Sequence, residues 1–299
     1  MDRSSDGSGN NIREGAALAG SADMAPDTSN SINPQESLAK DAEQGVNREE
    51  ITQDDFLDGQ LKLYQPQKGY RAGIDAVFLA ASIPAQAGET ALELGAGVGV
   101  ASLCLAWRVS GLSVTGVEIQ PEMVRLAQEN ALQNNLSLQA RFVSADLGGK
   151  RRFMIEQGIT PNLYDHVLAN PPYYEPESSW VSPDESKRKA HTTQTASLAD
   201  WVDTACAMAR PKGTVTFIHR ADALPGLLHL IGTRLGAMKA YPLWPHRNAD
   251  ASRVLLQGVK TSRTPFTFRA GMILHEGDRR GDFTFAANTL LRTGAALKL

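Results

Sequence analysis

From Glu89 onward, the sequence alternates short apolar runs rich in β-forming residues with longer segments of helical spacing. Strands that alternate with helices in this way are typical of a parallel sheet covered by helices on both faces. Strands are predicted at 90–94, 113–118, 138–143, 165–169, 213–219, 237–243 and 253–260, and helices at 98–109, 121–134, 199–209 and 222–235. We therefore predict an α/β fold with a doubly wound, seven-stranded sheet.

The last two predicted strands follow one another without an intervening helix. A strand that returns directly beside its predecessor runs in the opposite direction, so we expect the seventh strand to be antiparallel. One helix is predicted to begin at Pro121, because proline is tolerated in the first helical turn, where its missing N–H would have no partner.

Composition divides the chain near residue 50. The first fifty residues are rich in Ser, Asn, Asp, Gly and Glu, contain no aromatic residue and show no apolar periodicity, which predicts a disordered tail over 1–50. We assign 51–299 to one domain. It comprises a cap segment at 51–88 with a short helix, the sheet at 89–260, and a C-terminal extension at 261–299. The extension is predicted to form a strand or hairpin at 266–275 and then a short terminal helix.

The net charge of -3 is unevenly distributed, since the first fifty residues hold 10 acidic and 4 basic side chains. From Ile51 onward, 26 basic residues face 23 acidic ones, so this part is mildly basic. That excess is too small to establish a nucleic-acid partner. The local clusters at 187–189 and 279–280 could contact phosphates or could be solvated surface charge.

Targeting and metal signals are absent from the sequence. It shows no apolar stretch after the N-terminus and no run of about 18 apolar residues, so we expect a cytoplasmic protein that does not contact a membrane. Cys104 and Cys206 lack a second Cys or a His at metal-ligand spacing, which suggests neither a disulfide nor a metal site.

A glycine-rich loop follows the first strand, where Glu93 precedes Gly95, Gly97 and Gly99. Glycines at these positions let the backbone turn sharply and approach a ligand. A dinucleotide fingerprint would place its third small residue at position 100, where Val100 stands, so the spacing argues against NAD. S-adenosylmethionine has no pyrophosphate and carries two cationic groups, which suits an acid at Glu93. We predict that all four residues form its binding site.

Two further acids follow the next strands. Glu118 ends the second strand, where its carboxylate could accept hydrogen bonds from ribose hydroxyls. Asp146 follows the third strand and could accept a hydrogen bond from the amino group of the cofactor adenine. Open α/β sheets bind ligands at this edge, so both acids are predicted to contact the cofactor.

The segment Asn170-Pro171-Pro172-Tyr173, here called the Asn-Pro-Pro-Tyr segment, ends the fourth strand with an abrupt, rigid turn. An amino nitrogen conjugated with a ring accepts a methyl group only when its lone pair is turned toward the methyl carbon. Asn170 Oδ1 and the Pro171 carbonyl could achieve this by accepting from its two N–H bonds, while Tyr173 could stack on the planar group. We predict these four residues as catalytic, with Asn170 also at the cofactor and Tyr173 also at the substrate.

Together, the glycine-rich loop and the Asn-Pro-Pro-Tyr segment resemble the class I methyltransferases that act on amino nitrogens of adenine, guanine or glutamine. The resemblance implies S-adenosylmethionine as cofactor and a Rossmann-like sheet with an antiparallel last strand. The segments at 70–77 and 251–255 are similar to those of the bacterial tRNA1(Val) adenine N6-methyltransferases, which modify the adenosine 3′ of the anticodon. The likeness covers about 56–285, although Ile74 stands where threonine is common and the acidic tail is not part of the family pattern.

This closer resemblance implies an adenine in RNA as the acceptor and a tRNA as the partner. It also places a basic loop near the acceptor, where its side chains could bind RNA phosphates. That loop contains Lys187, Arg188, Lys189 and His191. We expect a monomer or a weak homo-oligomer.

Three alternatives stay open. A glutamine N5-methyltransferase acting on release factors would carry a helical N-terminal domain, for which 51–88 leaves little room. A DNA adenine methyltransferase would need a sequence-reading module, and none is evident in 174–198. A non-catalytic RNA-binding or cofactor-binding scaffold is disfavoured because Asn170 and Tyr173 are both present.

Overall fold

The computed structural model describes residues 50–69, 71–149, 151–173, 196–277 and 281–299. Several predictions fall outside these ranges and stay predictions. They are the disordered tail before residue 50, the basic side chains Lys187, Arg188, Lys189 and His191, and the basic pair Arg279-Arg280.

The strands and helices begin and end as follows. The strands are β1 (Ile51–Phe56), β2 (Leu61–Pro66), β3 (Thr90–Leu94), β4 (Ser113–Glu118), β5 (Ala140–Ser144), β6 (Tyr164–Ala169), β7 (Ala209–Arg220), β8 (Leu235–Trp244), β9 (Arg253–Lys260), β10 (Thr267–Phe268) and β11 (Met272–Ile273). The helices are α1 (Ile74–Ser82), α2 (Val100–Arg108), α3 (Pro121–Gln133), α4 (Arg151–Glu156), α5 (Leu198–Met208), α6 (Leu224–Ile231) and α7 (Phe285–Thr293).

Nine of the described strands form one mixed sheet. Its order is β10-β8-β9-β7-β6-β3-β4-β5, and β11 also pairs with β8. All pairs are parallel except those of β9, which lies antiparallel between β7 and β8. The predicted α/β class and the antiparallel seventh strand are therefore confirmed. Two short strands, β10 and β11, form in the C-terminal extension where a strand or hairpin is predicted, and each is two residues long.

Two elements were missed. The hairpin β1–β2 was not predicted, because β1 carries the acidic pair Asp54-Asp55 and buries little of its surface. Its turn is nevertheless signalled by Asp58-Gly59, both of which have a positive φ. The connection between β5 and β6 was predicted as a loop but contains α4, whose six residues are too few for a clear helical period.

Buried apolar side chains cover both faces of the sheet, as a doubly wound fold requires. One cluster unites the sheet with the hairpin and with α1, α2, α3 and α7. The other packs α4, α5 and α6 against the opposite face. Helices therefore occupy both faces, so the carboxyl edge of the parallel strands is the natural place for a ligand.

A buried asparagine fastens the hairpin to the sheet. Asn130 on α3 is fully buried and accepts from the Tyr64 N–H at 2.7 Å through its oxygen. Its amide nitrogen donates to the carbonyls of Tyr64 and Val98, at 3.0 Å each. Asn130 thus connects the hairpin to Val98, which lies within the glycine-rich loop.

Candidate functional site

A cavity of about 600 Å³ lies at the carboxyl ends of β3, β4, β5 and β6. Most of the residues predicted for the site line it. They are Glu93, Gly95, Gly97, Glu118, Asp146, Asn170, Pro171, Pro172 and Tyr173. The turn after each of these four strands therefore contributes to a single cavity.

The three glycines of the loop have positive φ angles and different surroundings. A Cβ at Gly95 would collide with the Trp201 ring, and one at Gly99 would lie 2.7 Å from Phe142 Cζ. A Cβ at Gly97 would meet no atom within 4 Å. Gly97 therefore borders open space. Gly99 precedes the first residue of α2 and lies outside the described lining of the cavity.

Glu93 is almost completely buried at the end of β3, with 3% of its surface exposed. Its Oε2 accepts from the Ser102 N–H at 2.8 Å and from Ser102 Oγ at 2.5 Å, which fixes the carboxyl against α2. Burial raises the pKa of Glu93 to about 8, although the two hydrogen bonds from Ser102 act in the opposite direction. A cationic ligand in the cavity would favour the charged form of this group.

The other two acids are held by backbone N–H groups. Glu118 accepts from Gly97 N at 2.9 Å and from Gln120 N at 3.0 Å, one with each oxygen. Asp146 Oδ1 accepts from Gly148 N at 2.8 Å. Each carboxylate oxygen has a second lone pair, so both acids keep acceptor capacity for a ligand.

The Asn-Pro-Pro-Tyr segment begins directly after β6. The Tyr173 hydroxyl lies 2.8 Å from Asp75 Oδ2 and 3.0 Å from Asn170 Oδ1. Arg253 Nε donates to the same Asp75 oxygen at 2.9 Å. These contacts bring α1, β9 and the Asn-Pro-Pro-Tyr segment together at one point.

The Tyr173 ring is held by two basic side chains. The Arg253 guanidinium carbon lies 4.7 Å from the ring centroid over one face, and the His219 ring lies edge-on at 5.0 Å. Burial opposes the charge of Arg253, yet Asp75 and Tyr173 raise its pKa above the ordinary value. Burial lowers the pKa of His219. A planar substrate therefore could not stack on the ring face that Arg253 covers.

Sequence reasoning missed Asp75, Arg253 and His219 as neighbours of Tyr173. A signal did exist, since Asp75 and Arg253 lie in the segments 70–77 and 251–255 that carry the closer resemblance. Neither segment by itself indicates that Asp75 and Arg253 would be in contact. Further lining residues were also missed, among them Gln65, Pro66, Ile119, Gln120, Met123 and Trp201.

Comparison with known proteins agrees with this geometry. Residues 71–182 match a family model described as "Methyltransferase small domain". The crystal structure of a predicted O-methyltransferase from Agrobacterium tumefaciens superposes with a TM-score of 0.63 at 27% identity, covering 75% of this chain and 99% of that one. The chain is an S-adenosylmethionine-dependent methyltransferase.

The methyltransferase is also similar in sequence to enzymes of a named specificity. It is 27% identical over 232 residues to the tRNA1(Val) (adenine(37)-N6)-methyltransferase of Porphyromonas gingivalis strain W83, covering 72% of this chain and 86% of the relative. It is 31% identical over 149 residues to the enzyme of the same name from Mannheimia succiniciproducens, covering 50% and 58%.

The family implies S-adenosylmethionine, and the residues present in the methyltransferase fit this group. Gly97 leaves open space beside its backbone, and the three acids surround that space with acceptors suited to amino and hydroxyl donors. In the described part of the chain, no group of three or more His, Cys, Asp or Glu side chains could hold a metal ion. No described helix is long and apolar enough to cross a bilayer.

Proposed function

We propose that the methyltransferase transfers a methyl group to the N6 amino group of an adenine in RNA, namely the adenosine 3′ of the anticodon in a valine tRNA. One observation carries the proposal. The Asn-Pro-Pro-Tyr segment lines the same cavity as the glycine-rich loop, so an acceptor held by the segment would lie beside the cofactor. The names of the relatives support adenine in tRNA as that acceptor.

We assign the main cofactor contacts to the three acids and the glycine-rich loop. Glu93 faces the cationic end of S-adenosylmethionine, Glu118 accepts from the ribose hydroxyls, and Asp146 accepts from the adenine amino group. The backbone of the loop at Gly95 and Gly97, which lines the cavity, follows the ligand closely. When bound, the cofactor supplies an electrophilic methyl group on a sulfonium.

The Asn-Pro-Pro-Tyr segment positions the acceptor. Asn170 Oδ1 and the Pro171 carbonyl accept from the two N–H bonds of the amino group, which turns its lone pair toward the methyl carbon. The N–C bond forms as the C–S bond breaks, and the methylated nitrogen then loses one proton to solvent. Positioning and fixed dipoles supply the rate enhancement, so no strong general base is required.

The first experiment incubates the purified protein with labelled S-adenosylmethionine and bulk tRNA from a strain that lacks it, followed by nucleoside mass spectrometry. We expect N6-methyladenosine. A 2′-O-methylated nucleoside would instead favour oxygen transfer, in line with the activity predicted for the Agrobacterium tumefaciens neighbour. No transfer to tRNA would contradict the proposal and make release-factor glutamine the next acceptor to test.

Asn170→Ala separates chemistry from binding. We expect it to abolish methyl transfer while cofactor affinity, measured by calorimetry, stays nearly unchanged, because the amide is directed at the acceptor. Residual turnover combined with a large loss of cofactor affinity would contradict this role.

A further inference from the structure

Two residues distant in sequence form an ion pair beside Tyr173 of the Asn-Pro-Pro-Tyr segment. Asp75 lies in the first turn of α1 and Arg253 is the first residue of β9. Arg253 Nε and the Tyr173 hydroxyl are both within 3 Å of one oxygen, Asp75 Oδ2, at 2.9 and 2.8 Å. The side chains of Asp75 and Arg253 are 20% and 29% exposed, so water screens this pair less than a surface pair.

The Tyr173 hydroxyl carries one hydrogen but faces two oxygens. It lies 2.8 Å from Asp75 Oδ2 and 3.0 Å from Asn170 Oδ1, and a phenol can donate only once. A carboxylate is the stronger acceptor because it is charged, and it is also the nearer of the two. The hydroxyl therefore donates to Asp75.

This choice determines how Asn170 can pair. With its hydrogen directed at Asp75, the Tyr173 oxygen can only accept from the amide. The two ends of an amide are nearly equal in shape, so the hydrogen-bond network decides which end faces which neighbour. With Oδ1 toward the tyrosine, two acceptors would face each other at 3.0 Å. We infer that Asn170 Nδ2 instead donates to Tyr173 Oη, which directs Oδ1 away from the tyrosine.

We propose that Asp75 and Arg253 are positioning residues that act through the Tyr173 hydroxyl to direct Asn170 Oδ1 at the methyl-accepting nitrogen. The role rests on the proposed function, since it requires a nitrogen acceptor with an N–H to donate. Arg253 contributes twice, by fixing the Asp75 carboxylate and by covering one face of the Tyr173 ring at 4.7 Å.

Asp75→Asn tests the role in the full-length protein. The new amide keeps the shape of the carboxylate but can donate to the tyrosine, which sends the phenol hydrogen to Asn170 Oδ1. We expect kcat for tRNA methylation to fall about tenfold or more, with the Kd for S-adenosylmethionine within about twofold. Asp75 lies outside the described lining of the cavity, which is why binding should persist.

Asp58→Asn is the matched control. It removes another Asp–Arg pair, formed with Arg292 at 3.2 Å on an exposed surface. We expect this variant to keep the parent kcat.

A double-mutant cycle distinguishes positioning from general destabilisation. Because Asp75 acts through the tyrosine hydroxyl, Asp75→Asn should cost nothing further in a Tyr173→Phe background. Two results would overturn the positioning role. One is a double variant in which the kcat losses of the two single variants multiply, and the other is an Asp75→Asn variant whose kcat stays within about twofold of the parent.

A spectroscopic readout does not depend on the acceptor. The side-chain NH₂ signals of Asn170, assigned by their loss in Asn170→Asp, can be followed by nitrogen-15 NMR in the cofactor-bound protein. Asp75→Asn should shift these signals, and Tyr173→Phe should remove that response. If the Asn170 signals do not shift in Asp75→Asn, the proposed positioning role of Asp75 is wrong. If the signals shift but the parent methylates no tRNA, the proposed function is wrong and the hydrogen-bond relay stands.

Discussion

Glu93 lies where burial disfavours its charge, and this gives cofactor binding a pH dependence. Its pKa is raised to about 8, so the carboxyl is mostly protonated at neutral pH in the free protein. A bound cation favours the carboxylate. We therefore expect S-adenosylmethionine affinity to rise with pH up to about 8 and to level off above it, with proton release below that pH. Calorimetry in two buffers with different ionisation enthalpies measures both effects.

Glu93→Gln is the control, since it removes the titrating group and should flatten the pH dependence.

The raised pKa of Glu93 also affects the stability of the free protein. The pKa is raised above its ordinary value of 4.5, so the contribution of this group to stability is full below about pH 4.5 and is lost as the pH rises toward 8. A cofactor affinity that does not change between about pH 6 and 9 would show that Glu93 does not face the cation.

The glycine-rich loop separates a packing requirement from a ligand requirement. Gly95→Ala would force a methyl group into the Trp201 ring at a positive φ, so we expect a loss of about 2–4 kcal/mol in unfolding free energy. Gly97→Ala meets no neighbour within 4 Å, so it should cost only about 1 kcal/mol of backbone strain. Its methyl group would enter the cavity and weaken cofactor binding about tenfold.

Chemical denaturation and cofactor titration of both variants measure these effects. Equal stability losses would contradict the packing argument. An unchanged cofactor affinity in Gly97→Ala would contradict the placement of the ligand beside Gly97.

The attachment of the hairpin to α3 depends on the buried Asn130. Asn130→Ala would leave the Tyr64 main chain and the Val98 carbonyl without this partner, so we expect it to lower the unfolding free energy by about 2–4 kcal/mol. The neighbouring Asn134 also bonds to the hairpin, through Lys62, but at an exposed position. Asn134→Ala should therefore cost less than about 1 kcal/mol.

Denaturant midpoints report the two stabilities, and hydrogen exchange at the Tyr64 amide reports whether the hairpin opens locally. If both substitutions cost the same, burial does not account for the strength of the Asn130 attachment.

Among the strands and helices, sequence pattern and structure agree best within the sheet. The strands β3, β4 and β9 have the predicted bounds, because each lies inside the sheet and is largely buried, so its apolar run is nearly continuous. Prediction failed at the periphery. The hairpin is stabilised by its contacts with α3 rather than by its own composition, and α4 is too short to show a helical period.

For the whole molecule, the two chain ends should differ in how much they contribute to thermal stability. Contacts within the chain group Gly45–Leu299 into one compact unit. At its end, Leu297 N donates to Ala81 O at 2.8 Å, and Lys239 Nζ donates to Leu299 O at 3.0 Å. Leu299 is buried, with 7% of its surface exposed.

We therefore expect deletion of residues 1–44 to leave the melting temperature unchanged, since that segment has too little apolar surface to join a core. Deletion of 294–299 should lower it by several degrees, because it removes a buried leucine and two hydrogen bonds. Calorimetry of both truncations tests this. A clear loss of melting temperature in the first truncation would contradict the prediction of a disordered tail.

The sequence by itself determined the fold class, the glycine-rich loop, the acids at the strand ends and the Asn-Pro-Pro-Tyr segment. These are local patterns, in which the residues that form an element or a turn are neighbours in the chain. Only the tertiary structure brought Asp75 and Arg253, 178 residues apart, onto Tyr173, and placed Trp201 against Gly95. Such contacts depend on the order of strands in the sheet and on the packing of helices across it, which no local pattern specifies.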